Sequence, residues 1–131
     1  MQVPPDALTT KMFFTWMDEH GICRTKTKVA AEIELEHAQE NTAAVNTFYK
    51  GNKFPLLIDS RQVKSISREA RQHFSTNGRE TYTNAFAILV KSPLSRVIGN
   101  FFMGINKPPL PSRLFDNEQD AVVWLKQFVS E

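Results

Sequence analysis

A short apolar segment followed by a helical pattern constrains the fold of this chain most. Residues 84–91 read Asn-Ala-Phe-Ala-Ile-Leu-Val-Lys, and the run is apolar without alternation. A strand of this kind is usually covered on both faces, as in a parallel sheet between helices. The next segment begins at Ser92-Pro93, and its apolar residues recur at the spacing of one helix face: Leu94, Val97, Ile98, Phe101, Phe102 and Ile105. Together the two segments predict a strand–helix unit of an α/β domain.

Strand and helix patterns alternate along most of the chain. Residues 11–17 and 22–29 predict an opening hairpin, and the lysines that alternate along its second strand predict an exposed edge. The later segments predict helices at 34–49, near 67–75, at 93–105 and after 116–117, and strands at 54–59, 84–90 and 113–115. We therefore expect an α/β fold in which an opening β-hairpin precedes alternating α and β elements, with an about five-stranded mixed sheet and four helices.

The chain is expected to form one domain. At 131 residues, of which 41% are hydrophobic, it can bury a single core. Residues 1–10 carry Pro4 and Pro5 and predict a loose lead-in, and residues 11–131 predict the domain. Cys23 is the only cysteine, which excludes an internal disulfide and a cysteine-based zinc site. Because the chain has no leader-like start and no apolar run of about 20 residues, we expect a cytoplasmic protein without integral membrane association.

Four segments carry a resemblance to a known family. Residues 56–71 read Leu-Leu-Ile-Asp-Ser-Arg-Gln-Val-Lys-Ser-Ile-Ser-Arg-Glu-Ala-Arg, and the other segments are 92–102, 107–109 and 114–125. They resemble small bacterial single-domain proteins of the SpoIIAA-like, STAS/SEC14-type fold, over about residues 11–129. The resemblance implies a β/α fold that anti-sigma-factor antagonists share with lipid-carrying domains. Because the small stand-alone members have no established activity, the fold alone does not assign one.

The resemblance also directs attention to a serine. In the antagonists, a phosphorylated serine begins the helix after the central strand, within a motif of the type Asp-Ser-Ser/Thr-Gly. The comparable stretch here is 66–70, with the strand-end aspartate at Asp59, but Ile66 and Ala70 replace the aspartate and glycine of the motif. We therefore expect Ser67 to cap its helix without serving as a phosphorylation switch.

A basic cluster surrounds this serine. Residues 61–79 contain five basic residues and one acidic residue, a local charge of +4 in a chain of net charge +2. The start of a helix also favours anions. We expect a partner or anion surface, facing an acidic protein, formed by Arg61, Lys64, Ser67, Arg68 and Arg71; an ordinary solvated face is the alternative. No aromatic residue is interleaved with these charges to stack on bases, so we expect no nucleic acid partner.

The segment 93–105 suggests a second kind of site. Its apolar stripe predicts core packing, but Gly99 and Gly104 weaken a helix and keep other interpretations open. These are a homodimer contact, a transient membrane contact, or an apolar ligand pocket lined by Phe86, Leu89, Phe101 and Phe102.

No catalytic or metal-binding motif is visible. The five glycines are scattered, so they form no phosphate loop or dinucleotide fingerprint, and the three histidines are far apart. We expect no catalytic residue, no metal and no cofactor. The sequence favours a non-enzymatic regulatory or protein-interaction module of STAS-like type. The alternatives are a SEC14-like carrier of a lipid or other apolar small molecule, and an enzyme of unidentified class.

Overall fold

A computed structural model describes residues 1–77, 82–91, 93, 96 and 110–129. Among these residues, eight strands and three helices have defined bounds. The strands are β1 (Leu8–Thr9), β2 (Phe13–Met17), β3 (Cys23–Thr27), β4 (Ala31–Ile33), β5 (Phe54–Asp59), β6 (Val63–Ile66), β7 (Thr83–Leu89) and β8 (Ser112–Phe115). The helices are α1 (Leu35–Tyr49), α2 (Arg68–Asn77) and α3 (Glu118–Lys126).

Six strands form one mixed sheet in the order β1-β2-β3-β5-β7-β8. The first three pair antiparallel, whereas β3, β5, β7 and β8 pair parallel. Strands β4 and β6 form a separate two-stranded parallel sheet. The predicted mixed α/β sheet is confirmed, but the predicted count of about five strands is wrong. The strands β1, β4 and β6, which the sequence did not indicate, have two to four residues each, too few for a hydrophobic period to be recognised.

The helices agree with the sequence where they are described. Predicted starts at 34 and 67 correspond to α1 and α2, and the final helix is α3. Four helices were predicted, and three have bounds in the described part of the chain. The predicted helix at 93–105 lies outside the described residues, except for Pro93 and Arg96, which are helical.

The opening hairpin is confirmed, but its second strand is not an edge. Strand β3 lies between β2 and β5, and the side chains of Arg24 and Lys26 are half-buried. The turn is tight because the Asp18 carboxylate accepts hydrogen bonds from the N–H groups of His20, at 2.8 Å, and Ile22, at 3.0 Å. The alternation of lysines along β3 indicates only which face of the sheet each side chain occupies. It does not indicate whether β3 lies at an edge of the sheet.

The N-terminal segment takes part in the fold. Leu8–Thr9 pairs antiparallel with β2, and the Lys26 ammonium donates to the Met1 carbonyl oxygen at 3.0 Å. The segment that was predicted as a loose lead-in therefore supplies an edge strand.

Helices cover both faces of the sheet. On β5, Leu56 packs with a cluster that contains Val45 and Tyr49 of α1, whereas Leu57 packs with a cluster that contains Leu125 of α3. Since neighbouring residues on a strand point to opposite faces, α1 and α3 lie on opposite sides of β5. The parallel strands thus end between two helical layers, where polar side chains can be held out of water.

Candidate functional site at the carboxyl end of the central strands

The turn after β5 holds a buried carboxylate. Asp59 is the last residue of β5, and its side chain is almost fully buried. Each of its oxygens accepts a hydrogen bond from the Arg61 guanidinium at 2.9 Å, and Oδ1 also accepts from the Arg61 backbone N–H at 3.1 Å. Burial alone would raise the pKa of the Asp59 carboxyl, but the bonds from Arg61 outweigh it and hold this pKa below its ordinary value.

The half-buried Arg24 extends this arrangement into a charge network. Arg24 Nε donates to Asp18 at 2.8 Å, and its Nη1 donates to Glu118 at 2.7 Å. Burial disfavours the charged guanidinium, but the bonds to Glu118 and Asp18 raise the pKa of Arg24. The Met1 ammonium lies 3.7 Å from Asp59 Oδ2 and 3.7 Å from Glu118 Oε1. The network joins the hairpin turn, the end of β5 and the start of α3.

Ser60 is a polar residue of this turn that the sequence analysis did not single out. Its hydroxyl donates to the Leu89 carbonyl oxygen at 2.8 Å, and the residue is 7% exposed. The sequence contains a local indication of this polar turn, because Asp59-Ser60 comes directly after the apolar residues 54–58. We placed the comparable stretch at 66–70 because a helix was expected soon after β5, whereas β6 separates Ser60 from α2. The Ser60 hydroxyl ties β5 to β7 and does not face solvent.

Ser67 caps α2, as the sequence predicted. Its Oγ accepts a hydrogen bond from the Ala70 N–H at 3.1 Å, and its carbonyl oxygen accepts from the Arg71 N–H at 3.0 Å. The Ser67 N–H donates to the Ile33 carbonyl oxygen at 2.8 Å, which fixes the cap against β4. The cap satisfies backbone donors that a helix start leaves without partners.

The predicted basic cluster divides into half-buried and exposed members. Arg61 is committed to Asp59, and Arg71 is half-buried, whereas Lys64 and Arg68 are exposed. Strand pairing places Glu32 of β4 opposite Ser65 of β6, so an exposed carboxylate lies in the neighbouring strand. The local charge of +4 along the chain therefore overstates the positive charge of this surface.

The predicted apolar pocket is only partly described. Phe86 belongs to a cluster with Ile88, whereas Leu89 belongs to the cluster of α3 on the other face of the sheet. Because Phe86 and Leu89 are an odd number of positions apart on β7, they point to opposite faces and do not line a common cavity. Phe101 and Phe102 lie outside the described residues.

Three other side chains of types that can be reactive are engaged within the fold. They are Cys23, His37 and His73. Burial, with a smaller contribution from Asp18, raises the pKa of the Cys23 thiol to about 12. His37 Nδ1 accepts from the Glu34 N–H at 2.9 Å at the start of α1, and His73 Nε2 lies 2.8 Å from the Thr42 hydroxyl.

Within residues 1–77, 82–91 and 110–129, no group of three or more potential metal ligands comes together. None of the described helices is long and apolar enough to cross a bilayer.

Two solved structures are similar in fold. An uncharacterised protein of the DUF3478 family with a SpoIIAA-like fold, from Shewanella loihica PV-4, has a TM-score of 0.64 at 16% identity, covering 90% of this chain and 98% of that chain. An anti-sigma factor antagonist from Mycobacterium paratuberculosis has a TM-score of 0.63 at 17% identity, covering 95% and 99%. At these identities the likeness shows the SpoIIAA-like fold and nothing further.

A protein of unknown function from Arthrobacter sp. FB24 is 35% identical over 85% of this chain and 96% of that chain, with a TM-score of 0.34. No curated protein matches the chain. A family model matches residues 15–129, which include most of the hairpin, the β5 turn, the Ser67 cap and α3. The chain belongs to the family described as "Domain of unknown function (DUF7793)".

Proposed function

We propose that the protein is a non-enzymatic regulatory module of STAS-like type that acts by binding another protein. The observation that carries this proposal is the fold likeness to an anti-sigma factor antagonist, which spans nearly the whole of both chains. The polar residues around β5 support it, because Asp59, Arg61 and Ser60 are engaged with one another or with the backbone. Groups held in this way stabilise a fold and offer no free nucleophile or base to a substrate.

The partner-facing surface in this proposal is the start of α2 together with β6. Lys64, Ser65 and Arg68 are exposed there, beside the Ser67 cap. The positive end of the helix dipole and the two cations favour an acidic patch or a phosphate group on the partner. Exposed charges at a rim mainly raise the association rate and make binding sensitive to salt.

In this proposal Ser67 serves as a structural cap. Its oxygen already accepts a hydrogen bond from Ala70, and a phosphate there would have to replace that bond. Intact-mass analysis of protein purified from its native cell is expected to show Ser67 unmodified. Stoichiometric phosphate on Ser67 would contradict this assignment and favour a phosphorylation switch.

A charge reversal tests the surface. We choose Lys64→Glu with Arg68→Glu, since both side chains are exposed, and Arg71 is set aside because it is half-buried. The matched control is Lys50→Glu with Lys53→Glu, which has the same charge change and lies at the other end of β5, before its first residue. In quantitative affinity capture from native cells, wild type and control should retain a partner that the double reversal loses. If all three proteins capture the same set, this surface is only solvated charge.

A further inference from the structure

We draw no further inference here: the strongest candidate, the groove between β8 and α3 at one edge of the main sheet, is lined by the exposed carboxylates of Asp116 and Asp120 beside two exposed guanidinium groups, so its charge selects no occupant, and nothing in the structure shows what covers it.

Discussion

Two regions of this molecule use arginine in different ways. In the charge network, Arg61 binds the buried Asp59 at the end of β5, and Arg24 of β3 binds the buried Asp18 and the partly exposed Glu118, all with short hydrogen bonds. Along β8, Arg113 stacks on an aromatic ring and Arg96 is exposed, and neither has a carboxylate partner among the described residues. An arginine whose charge is neutralised inside the fold stabilises the fold, whereas an arginine without a partner is available for recognition. Local charge counted along a sequence does not separate the two.

Helix α3 is shared by both regions, and loss of its docking should have the largest effect. Leu125 is fully buried in the cluster between α3 and the sheet. We expect Leu125→Ala to lower the free energy of unfolding by about 2–5 kcal/mol, measured by denaturant titration. Val123→Ala, on the exposed side of the same helix, should change it by no more than about 0.5 kcal/mol. Similar midpoints for the two variants would show that α3 is not held by this contact.

A substitution of the buried carboxylate Asp59 is expected to have the next largest effect, because Asp59 lies at the centre of the first region. Asp59→Asn keeps the shape of the side chain but loses charge-assisted bonds from Arg61, and we expect a loss of about 1.5–3 kcal/mol in denaturant titration at neutral pH. Asp116→Asn, at an exposed aspartate, is the control and should stay within about 0.5 kcal/mol of wild type. If the two variants are equally stable, the network contributes little.

The pH dependence of stability tests the same contact between Asp59 and Arg61. Because the pKa of Asp59 in the folded protein lies below its ordinary value of 3.8, the unfolded chain binds a proton at higher pH than the folded chain. The stabilising contribution of Asp59 is therefore present above about pH 4 and is lost as pH falls through the lower folded pKa. Thermal midpoints should converge for wild type and Asp59→Asn as the pH is lowered below 4. A constant difference between them would mean that the pKa of Asp59 does not change on folding, so that the bonds from Arg61 do not favour its ionised form.

The sequence predicted regular elements better than the charge network. Strand β5 was predicted with its observed bounds, since the continuous apolar run 54–58 is followed directly by Asp59 and a polar turn. The cap at Ser67 was also predicted, because capping depends on residues a few positions apart. Strands β4 and β6 were missed, since short strands are stabilised mainly by pairing across the chain.

The site was less predictable, for a reason of distance along the chain. Arg61 was assigned to a basic surface, but its carboxylate partner is only two residues earlier and becomes a partner because both are turned inward at the end of β5. The bond between Arg24 and Glu118 joins residues 94 positions apart. Neither the inward turn nor the distant partner has a local sequence pattern, so a charge count along the chain gives no sign that Arg61 binds Asp59.

The smallest expected effect on stability concerns an arginine of the second region. Arg113→Ala removes an exposed guanidinium whose described contact is the ring of Phe115, so the free energy of unfolding should change by no more than about 0.5 kcal/mol. Arg24→Ala is the matched comparison in the first region. It leaves Asp18 without a cation in a side chain that is 5% exposed, and we expect a loss of about 1.5–3 kcal/mol. Denaturant titration of both variants in the same buffer measures the contrast directly. If Arg113→Ala costs as much as Arg24→Ala, Arg113 has a structural role comparable to that of Arg24, and the contrast between the two regions does not hold.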